Sequence, residues 1–398
     1  MNVYSLTAMA FLSVSGGPIG SENAMIGSDI YSVLCCLTWL FITYIIPLAY
    51  MTYEMSLHSK DFADGGPIGW VRQALGKRCG IANAVWDLID THIDNAIYPV
   101  LFADNVILMG VPEIWHSAVA WALIIFVFVI NWGEIEGITS IILSIVILSP
   151  FVGLVAVTPW NSMWTYAAPA YTVESLQKTL TVLVWNINGF DMISPYAHKV
   201  KNPEESYFWA TVINAIGCYL MMVIVFCLGS YYIHNPNEWV DGSYITIASS
   251  NGVFFKYWMF ISVLASTAGT LTAEVCSTSY LYIGLSKLGF SKRFENNKFN
   301  LVINAIILGI CVIVNVGTLI ELSAVLNTLS LNFEVVSWIQ LKGCSYLRMV
   351  FAIWIIINNL LVVACASVTC LISILSACGL AALVILLSER SISTYDIE

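Results

Sequence analysis

Val14-Ser15-Gly16-Gly17-Pro18-Ile19-Gly20-Ser21-Glu22 stands inside the first long apolar run of the chain, and Trp185-Asn186-Ile187-Asn188-Gly189-Phe190-Asp191 stands inside the sixth. The first stretch holds three glycines and a proline within five residues. Proline removes a backbone donor, and glycine favours unwound conformations. Unwound backbone at membrane depth survives only where protein surrounds it or where it lines a wet cavity. Small residues also let helices approach closely, so either break taken alone reads equally well as a packing motif. Two breaks five runs apart, each followed by an acid, are the sequence pointer to a transporter of two inverted five-helix repeats.

Composition agrees with a membrane setting. Of the 398 residues, 59% are apolar and 10% charged, against roughly 45–50% and 25% in soluble domains. Mean hydropathy is +0.83. Each bilayer crossing needs about 20 mostly apolar residues, so a polytopic membrane protein is the class that fits. A net charge of −10 offers no basic surface and argues against a nucleic-acid partner. The 11 cysteines lie mostly in apolar stretches without metal-ligand spacing and read as small packing residues. No Lys or Arg precedes the first run, so it does not read as a cleaved signal peptide. No phosphate loop, zinc spacing or nucleophile triad appears, and the sequence implies neither an enzyme nor a cofactor.

The apolar runs predict an all-α protein of about 12 transmembrane helices, near 3–27, 30–56, 80–108, 115–132, 137–157, 177–200, 207–232, 245–287, 300–315, 318–340, 347–363 and 366–388. The eighth is too long for one crossing, and its part before Asn251 is expected to form an interfacial turn or short helix. Residues 1–340 then form a transporter core of two repeats, about 1–157 and 177–340, and residues 341–398 add two peripheral helices and a short tail. Lys60, Arg72, Lys77, Arg78, Lys199, Lys201, Lys287, Lys292, Arg293, Lys298, Lys342, Arg348 and Arg390 follow runs 2, 6, 8, 10 and 12; these are 13 of the 15 bases, leaving Lys178 and Lys256. The positive-inside rule makes those regions, and both termini, cytoplasmic. The expected location is the plasma membrane.

The segments carry a family resemblance. Val14–Glu22 resembles the VSGGPFGxE signature of plant and protozoan polyamine uptake and L-type amino-acid transporters, within the amino acid–polyamine–organocation superfamily. Ile93-Asp94-Asn95-Ala96-Ile97-Tyr98-Pro99-Val100-Leu101-Phe102 is similar to the group's IDNALYPVLF. Asn188-Gly189-Phe190-Asp191, followed by Val200-Lys201-Asn202-Pro203, matches its sixth helix, and Ala273-Glu274 with Ser279-Tyr280 matches its eighth. The likeness runs in unchanged order through residues 10–340. It implies two intertwined five-helix repeats with broken helices 1 and 6, two peripheral helices, and cation-coupled or exchange transport. Lys199 departs from the pattern, standing where the group usually has an acid. Asp87, Asp90 and His92 are additions to the usual third helix.

Acids inside the membrane are the informative polar residues, since each costs about 2.5–3.5 kcal/mol at the bilayer centre on insertion scales. Glu22, Asp94, Asp191 and Glu274 must be protonated, paired, or facing water and a cation. An acidic site without resident bases favours a cationic substrate or a proton. Glu22 is placed to bind an ammonium or carry a proton, or else to cap the second half of the first helix. Asp191 has the same alternative. Phe190 is a gate, a cation–π partner or a packing residue. Glu274 is far from any helix end, which leaves a pocket or proton-relay role. Asp87, Asp90 and Asp94 share one face of the third helix. Asp87 is expected at the cytoplasmic interface, and Glu54, Glu321 and Glu334, near helix ends, are expected to be interfacial. His92 reads as a hydrogen-bonded structural histidine.

These expectations converge on a secondary transporter of an amino acid or polyamine, coupled to protons and working by alternating access. The substrate would be held by Gly16, Gly17, Ile19, Gly20, Glu22, Asp94, Tyr98, Asn188, Gly189, Phe190 and Asp191, with proton coupling at Glu274 and Glu22. The alternatives are a neutral amino-acid exchanger and a nutrient sensor that signals without transport. The expected partners are the small-molecule substrate, protons and the lipid bilayer, with no partner chain evident.

Overall fold

The structure is a computed structural model describing residues 1–59, 65–160, 172–195, 197–313 and 316–395. It is helical, with no strand among the described residues. Part of the basic loop at 57–79, including Lys60 and Asp64, lies outside them.

The chain opens with α1 (Val3–Val14), whose first turn is capped by Asn2 accepting from the Ser5 amide at 2.9 Å. After the break only a short 3₁₀ turn, Ser21–Met25, follows. Next come α2 (Ile30–Leu40), a π-turn at Phe41–Ile45, and α3 (Ile46–His58). Asp29 caps α2 through the Tyr31 and Ser32 amides at 2.9 and 3.1 Å. Pro47 explains the π-turn, because it has no N–H for the carbonyl of Thr43. The side chain of Asn358 donates to that carbonyl instead, at 3.3 Å.

α4 (Pro67–Leu75) is a short helix not anticipated within the 57–79 loop, and it leads into the long α5 (Lys77–Leu108). α6 (His116–Trp132), α7 (Glu136–Val157) and α8 (Val173–Asn186) follow. Beyond the second break the sixth run continues as two single 3₁₀ turns, at Asp191–Ile193 and Ala197–Lys199, rather than as the regular helix expected to residue 200. α9 (Pro203–Tyr232) comes next. The eighth run divides as its length requires, into α10 (Ser243–Ser250) and α11 (Val253–Lys287), hinged at Gly252 with φ of 110°. The chain ends with α12 (Asn297–Cys311), α13 (Val316–Lys342), α14 (Tyr346–Cys365) and α15 (Val368–Tyr395).

Among the described residues, seven segments are long and apolar enough to cross a membrane: Ile30–His58, Glu113–Trp132, α7, α9, α11, α13 and α14. α5 has 32 residues, and its polar positions, Asp87, Asp90, His92, Asp94 and Asn95 among them, keep it out of that group. Ile138, Ile142, Ile145 and Val152 form an exposed stripe on α7, the pattern of a helix facing hydrocarbon. The interior is polar by comparison. α11 packs against α1, α5, α6, α7 and α12. Its small hydroxyl residues allow that close approach and return their hydrogen bonds to their own helix, as Thr272 does to Ala268 at 2.7 Å and Thr278 to Glu274 at 2.7 Å. The chain is an integral, multi-pass membrane protein.

One end of the bundle is tied by a carboxylate. Glu54 of α3 accepts from Arg348 Nε and Nη2 at 2.8 and 2.7 Å, from Trp338 Nε1 at 2.7 Å and from Tyr50 at 3.1 Å. Arg348 also donates to the carbonyls of Lys342 and Gly343. Hydrogen bonds to charged groups contribute about 1.5–3 kcal/mol, less where water competes, and these two side chains are 14% and 21% exposed. Arg348→Ala should therefore destabilise the protein by about 1–2 kcal/mol, read as a lower melting temperature in detergent. An unchanged melting temperature would show the clasp to be energetically idle.

Candidate functional site

The two breaks cross each other, and glycine makes the crossing possible. At Gly189, with φ of 94°, a Cβ would lie 2.4 Å from the carbonyl oxygen of Ser13 in α1. At Gly20, with φ of 88°, a Cβ would lie 3.0 Å from the Trp185 ring. Each break thus sets a glycine against the last turn of the helix that leads into the other. Freed backbone groups find partners nearby: the Ser15 and Gly16 amides both donate to Phe11 O at 3.1 and 2.9 Å, and Gly16 O accepts from Ser266 Oγ of α11 at 2.5 Å.

Beside the crossing lies a cavity of about 60 Å³. α1 and its break contribute Ser13, Val14, Ser15 and Ile19; the end of α8 contributes Trp185 and Asn186, and the second break with the turn after it contributes Asn188, Gly189 and Met192. α5 contributes Asp90, Thr91, Asp94 and Tyr98. α11 adds Ser266, Thr267, Thr270 and Glu274, and α13 adds Ser323 and Asn327. Neither Lys nor Arg is among the lining residues.

Asp94 is surrounded by neutral donors. Its Oδ1 accepts from Trp185 Nε1 at 2.8 Å and from Ser323 Oγ at 3.3 Å, and its Oδ2 accepts from Tyr98 OH at 2.8 Å. Asp90, one turn away, accepts from Ser323 Oγ at 2.8 Å and from Asn327 Nδ2 at 3.1 Å. Asn188 Oδ1 is buried without a donor and is free to accept from a ligand.

Of the residues singled out in the sequence, Ile19, Asp94, Tyr98, Asn188, Gly189 and Glu274 line the cavity. Gly16, Gly17 and Gly20 lie behind it as the contact points of the break: a Cβ would meet Thr270 from Gly16, Ile147 from Gly17 and Trp185 from Gly20. Glu22 folds back so that its Oε2 accepts from the Gly20 amide at 2.7 Å, outside the lining. Phe190 is 1% exposed and packs in the main core. Asp191 is buried off the cavity, with its backbone carbonyl closing the turn to Ser194. His92 is held as expected, by Leu88 O at 2.5 Å and Tyr282 OH at 3.1 Å. Lys199 donates to Tyr280 and lies 4.8 Å from its ring centroid.

The sequence reading left Trp185, Ser323 and Asn327 without a role and did not decide Asp90. Ser323 and Asn327 carried a signal, being polar residues one turn apart in an apolar helix. Asp87 and Glu334 correct an expectation, since both were assigned to the interface and are buried at 6% and 1% exposure.

Comparison with known proteins fits this geometry. The model of the amino acid permease family matches residues 1–389. The chain belongs to that family, which is one of permeases and not of enzymes. It is 29% identical to Polyamine transporter PUT1 of Oryza sativa subsp. japonica over 307 residues, covering 74% of this chain and 56% of that protein. It is 26% identical to Polyamine transporter RMV1 of Arabidopsis thaliana over 316 residues, covering 74% of this chain and 62% of that protein. An uncharacterised transporter of Legionella pneumophila subsp. pneumophila is 24% identical over 260 residues, covering 58% of this chain and 52% of that protein. The chain thus spans between about half and two thirds of the lengths of these relatives.

The crossing yields a sharp test. Gly189→Ala must place a methyl group against Ser13 O and hold positive φ, a strain of about 1–3 kcal/mol. Gly217→Ala, where a Cβ meets nothing within 4 Å, is the control. Only the first should lower the melting temperature in detergent; equal behaviour of the two would mean that the breaks do not cross as described.

Proposed function

We propose that the protein is a secondary transporter that takes up a polyamine or another cationic amine in symport with protons. The observation that carries the reading is the pair Asp90 and Asp94, two carboxylates lining one cavity with no Lys or Arg among the lining residues. Carboxylates so placed are stabilised by a positive ligand or a proton. The relatives named polyamine transporters support the same substrate class.

The proposed architecture is twelve crossings, with repeats at about 1–157 and 177–340 and peripheral helices in 341–398. Its support is that the packing pairs map onto one another when run n is exchanged with run n + 5. α5 on α13 becomes α11 on α7, α5 on α6 becomes α11 on α12, and α1 on α7 becomes α8 on α13. The 13-of-15 distribution of basic residues supports cytoplasmic termini, and the plasma membrane is the proposed location. In this reading Asp94 and Asn188 bind the ammonium. Ile19, Tyr98 and Gly189 shape the cavity, and Gly16, Gly17, Gly20, Glu22, Phe190 and Asp191 set the break conformations. Glu274 carries the proton.

A second reading is exchange of a neutral amino acid, since the donors to Asp94 are themselves neutral. Uptake into proteoliposomes separates the two. A charge-assisted hydrogen bond of about 1.5–3 kcal/mol, at about 1.4 kcal/mol per tenfold, sets the size of the effect. Asp94→Asn should raise the half-saturation concentration for a spermidine-like amine roughly 10–150-fold and change that for leucine much less. A parent that carries leucine and ignores polyamines refutes the cation reading.

Proton coupling has its own measurement. Glu274→Gln keeps the shape of the side chain and cannot exchange a proton, so the pH dependence of uptake should flatten. A profile matching that of the parent would remove Glu274 from the coupling step.

A further inference from the structure

Beyond the cavity, toward the end where α5 begins, the α5–α13 seam holds more carboxyl groups than binding one ammonium requires. Asp87 and Asp90 lie seven and four residues before Asp94 on one face of α5, so the file spans about 10 Å at 1.5 Å per residue. Glu334 stands on α13 seven residues after Asn327, the partner of Asp90. Asp87 and Glu334 are 6% and 1% exposed and do not line the cavity.

Two buried polar atoms here have no partner. Glu334 Oε2 receives no hydrogen bond. Asn83 donates to Asp87 Oδ2 at 3.2 Å and leaves its own Oδ1 without a donor, with the residue fully buried. A structural carboxyl in a core is normally saturated with donors, as Glu54 of α3 is. Glu334 is not dressed in that way, and Asp87 has two neutral donors, Asn83 and Ser330, and no base.

The titratable groups facing Glu334 are Asp87 and Asp90 from α5, Asp191 from the second break and Tyr44 from the π-turn. All are acids. Arg348, at the end of the seam, is committed to Glu54. Among the described residues no three His, Cys, Asp or Glu side chains are grouped to hold a metal ion. A proton is the cation that suits carboxyl groups spaced along a seam rather than gathered into a cage.

We propose that Asp87 and Glu334, continued by Asp90, form a proton-relay site distinct from the substrate cavity, through which the coupled proton leaves toward the cytoplasmic end of the α5–α13 seam. A proton passes from one carboxyl O–H to the next carboxylate oxygen, directly or by way of water, and each donor is left as a carboxylate. Asp90 links the two regions, since it lines the cavity through Ser323 and Asn327 and lies one turn from Asp87. This inference rests on the proton-coupled reading above and adds the path to it.

The test uses the purified full chain in proteoliposomes with radiolabelled spermidine, in two modes. Accumulation driven by an acid-outside pH gradient requires proton movement, whereas counterflow at equal pH requires only substrate exchange. Glu334→Gln and Asp87→Asn should each bring gradient-driven accumulation down to the level without a gradient. They should leave the half-saturation for counterflow within about twofold, as expected of a site separate from the cavity. Glu334→Asp, which retains a titratable group, should recover accumulation. If both neutral variants accumulate like the parent, or if each loses counterflow and accumulation together while remaining monodisperse, the relay is refuted. A parent that exchanges substrate without responding to a pH gradient overturns proton coupling itself, and the relay with it.

Discussion

Backbone that leaves helical geometry inside a bilayer has no water to bond to, and much of this structure follows from that constraint. The two breaks meet it jointly. Gly189 sits against Ser13 and Gly20 sits against Trp185, so each break supplies a wall of the other's surroundings. α11 supplies the rest, with Ser266 donating to Gly16 O. The constraint also accounts for the character of α11, whose largely buried middle is rich in serine, threonine, alanine and glycine. A helix of large apolar residues could not approach an unwound segment closely enough to serve its carbonyls.

The same economy appears where the break is smaller. Pro47 deprives Thr43 of a helical partner, and Asn358 replaces it from α14. Asn358 also donates to Thr43 Oγ1 at 3.1 Å, and Trp39 Nε1 donates to Asn358 Oδ1 at 3.2 Å. Tyr44, on the next residue, reaches Asn359 at 3.3 Å. A cluster that reads in sequence as two asparagines in an apolar run is thus the complement of a proline on another helix. α14, peripheral in the expected architecture, is bonded to the core at mid-helix as well as through Arg348.

Legibility followed the range over which each signal acts. The breaks were readable because glycine and proline declare backbone conformation locally, and the runs were readable because hydrophobic length is set by the bilayer. Asp94, Asn188, Gly189 and Glu274 were found because they stand in or near such signals. Trp185, Ser323 and Asn327 owe their place to which helix face meets which, and one chain's residue order does not encode that pairing. Asp87 and Glu334 were misassigned for a related reason. Distance from a helix end measures depth along the helix axis, while burial depends on the neighbours around it, and α4 covers part of α5 and α13 from within a segment that read as loop. Glu22 shows how an acid after a break can serve the backbone: its hydrogen bond to Gly20 makes it part of the turn.

The donors around Asp94 bear on how a ligand would bind. With Asp94 held by Trp185, Tyr98 and Ser323, the carboxyl has no shortage of neutral donors. A neutral molecule offering one more hydroxyl would gain little by replacing them. A donor that is itself charged adds attraction to a carboxylate that a neutral one lacks, so an ammonium would compete with the indole better than an alcohol would. Trp185 is then the group to yield, because it stands in the last turn of α8 next to the break, while Tyr98 and Ser323 sit within α5 and α13. Release of Trp185 would remove its ring from Gly20 and loosen the contact by which one break holds the other. Recognition of charge and opening of the crossing would thus be one event, arising from a single indole shared between an aspartate and a glycine.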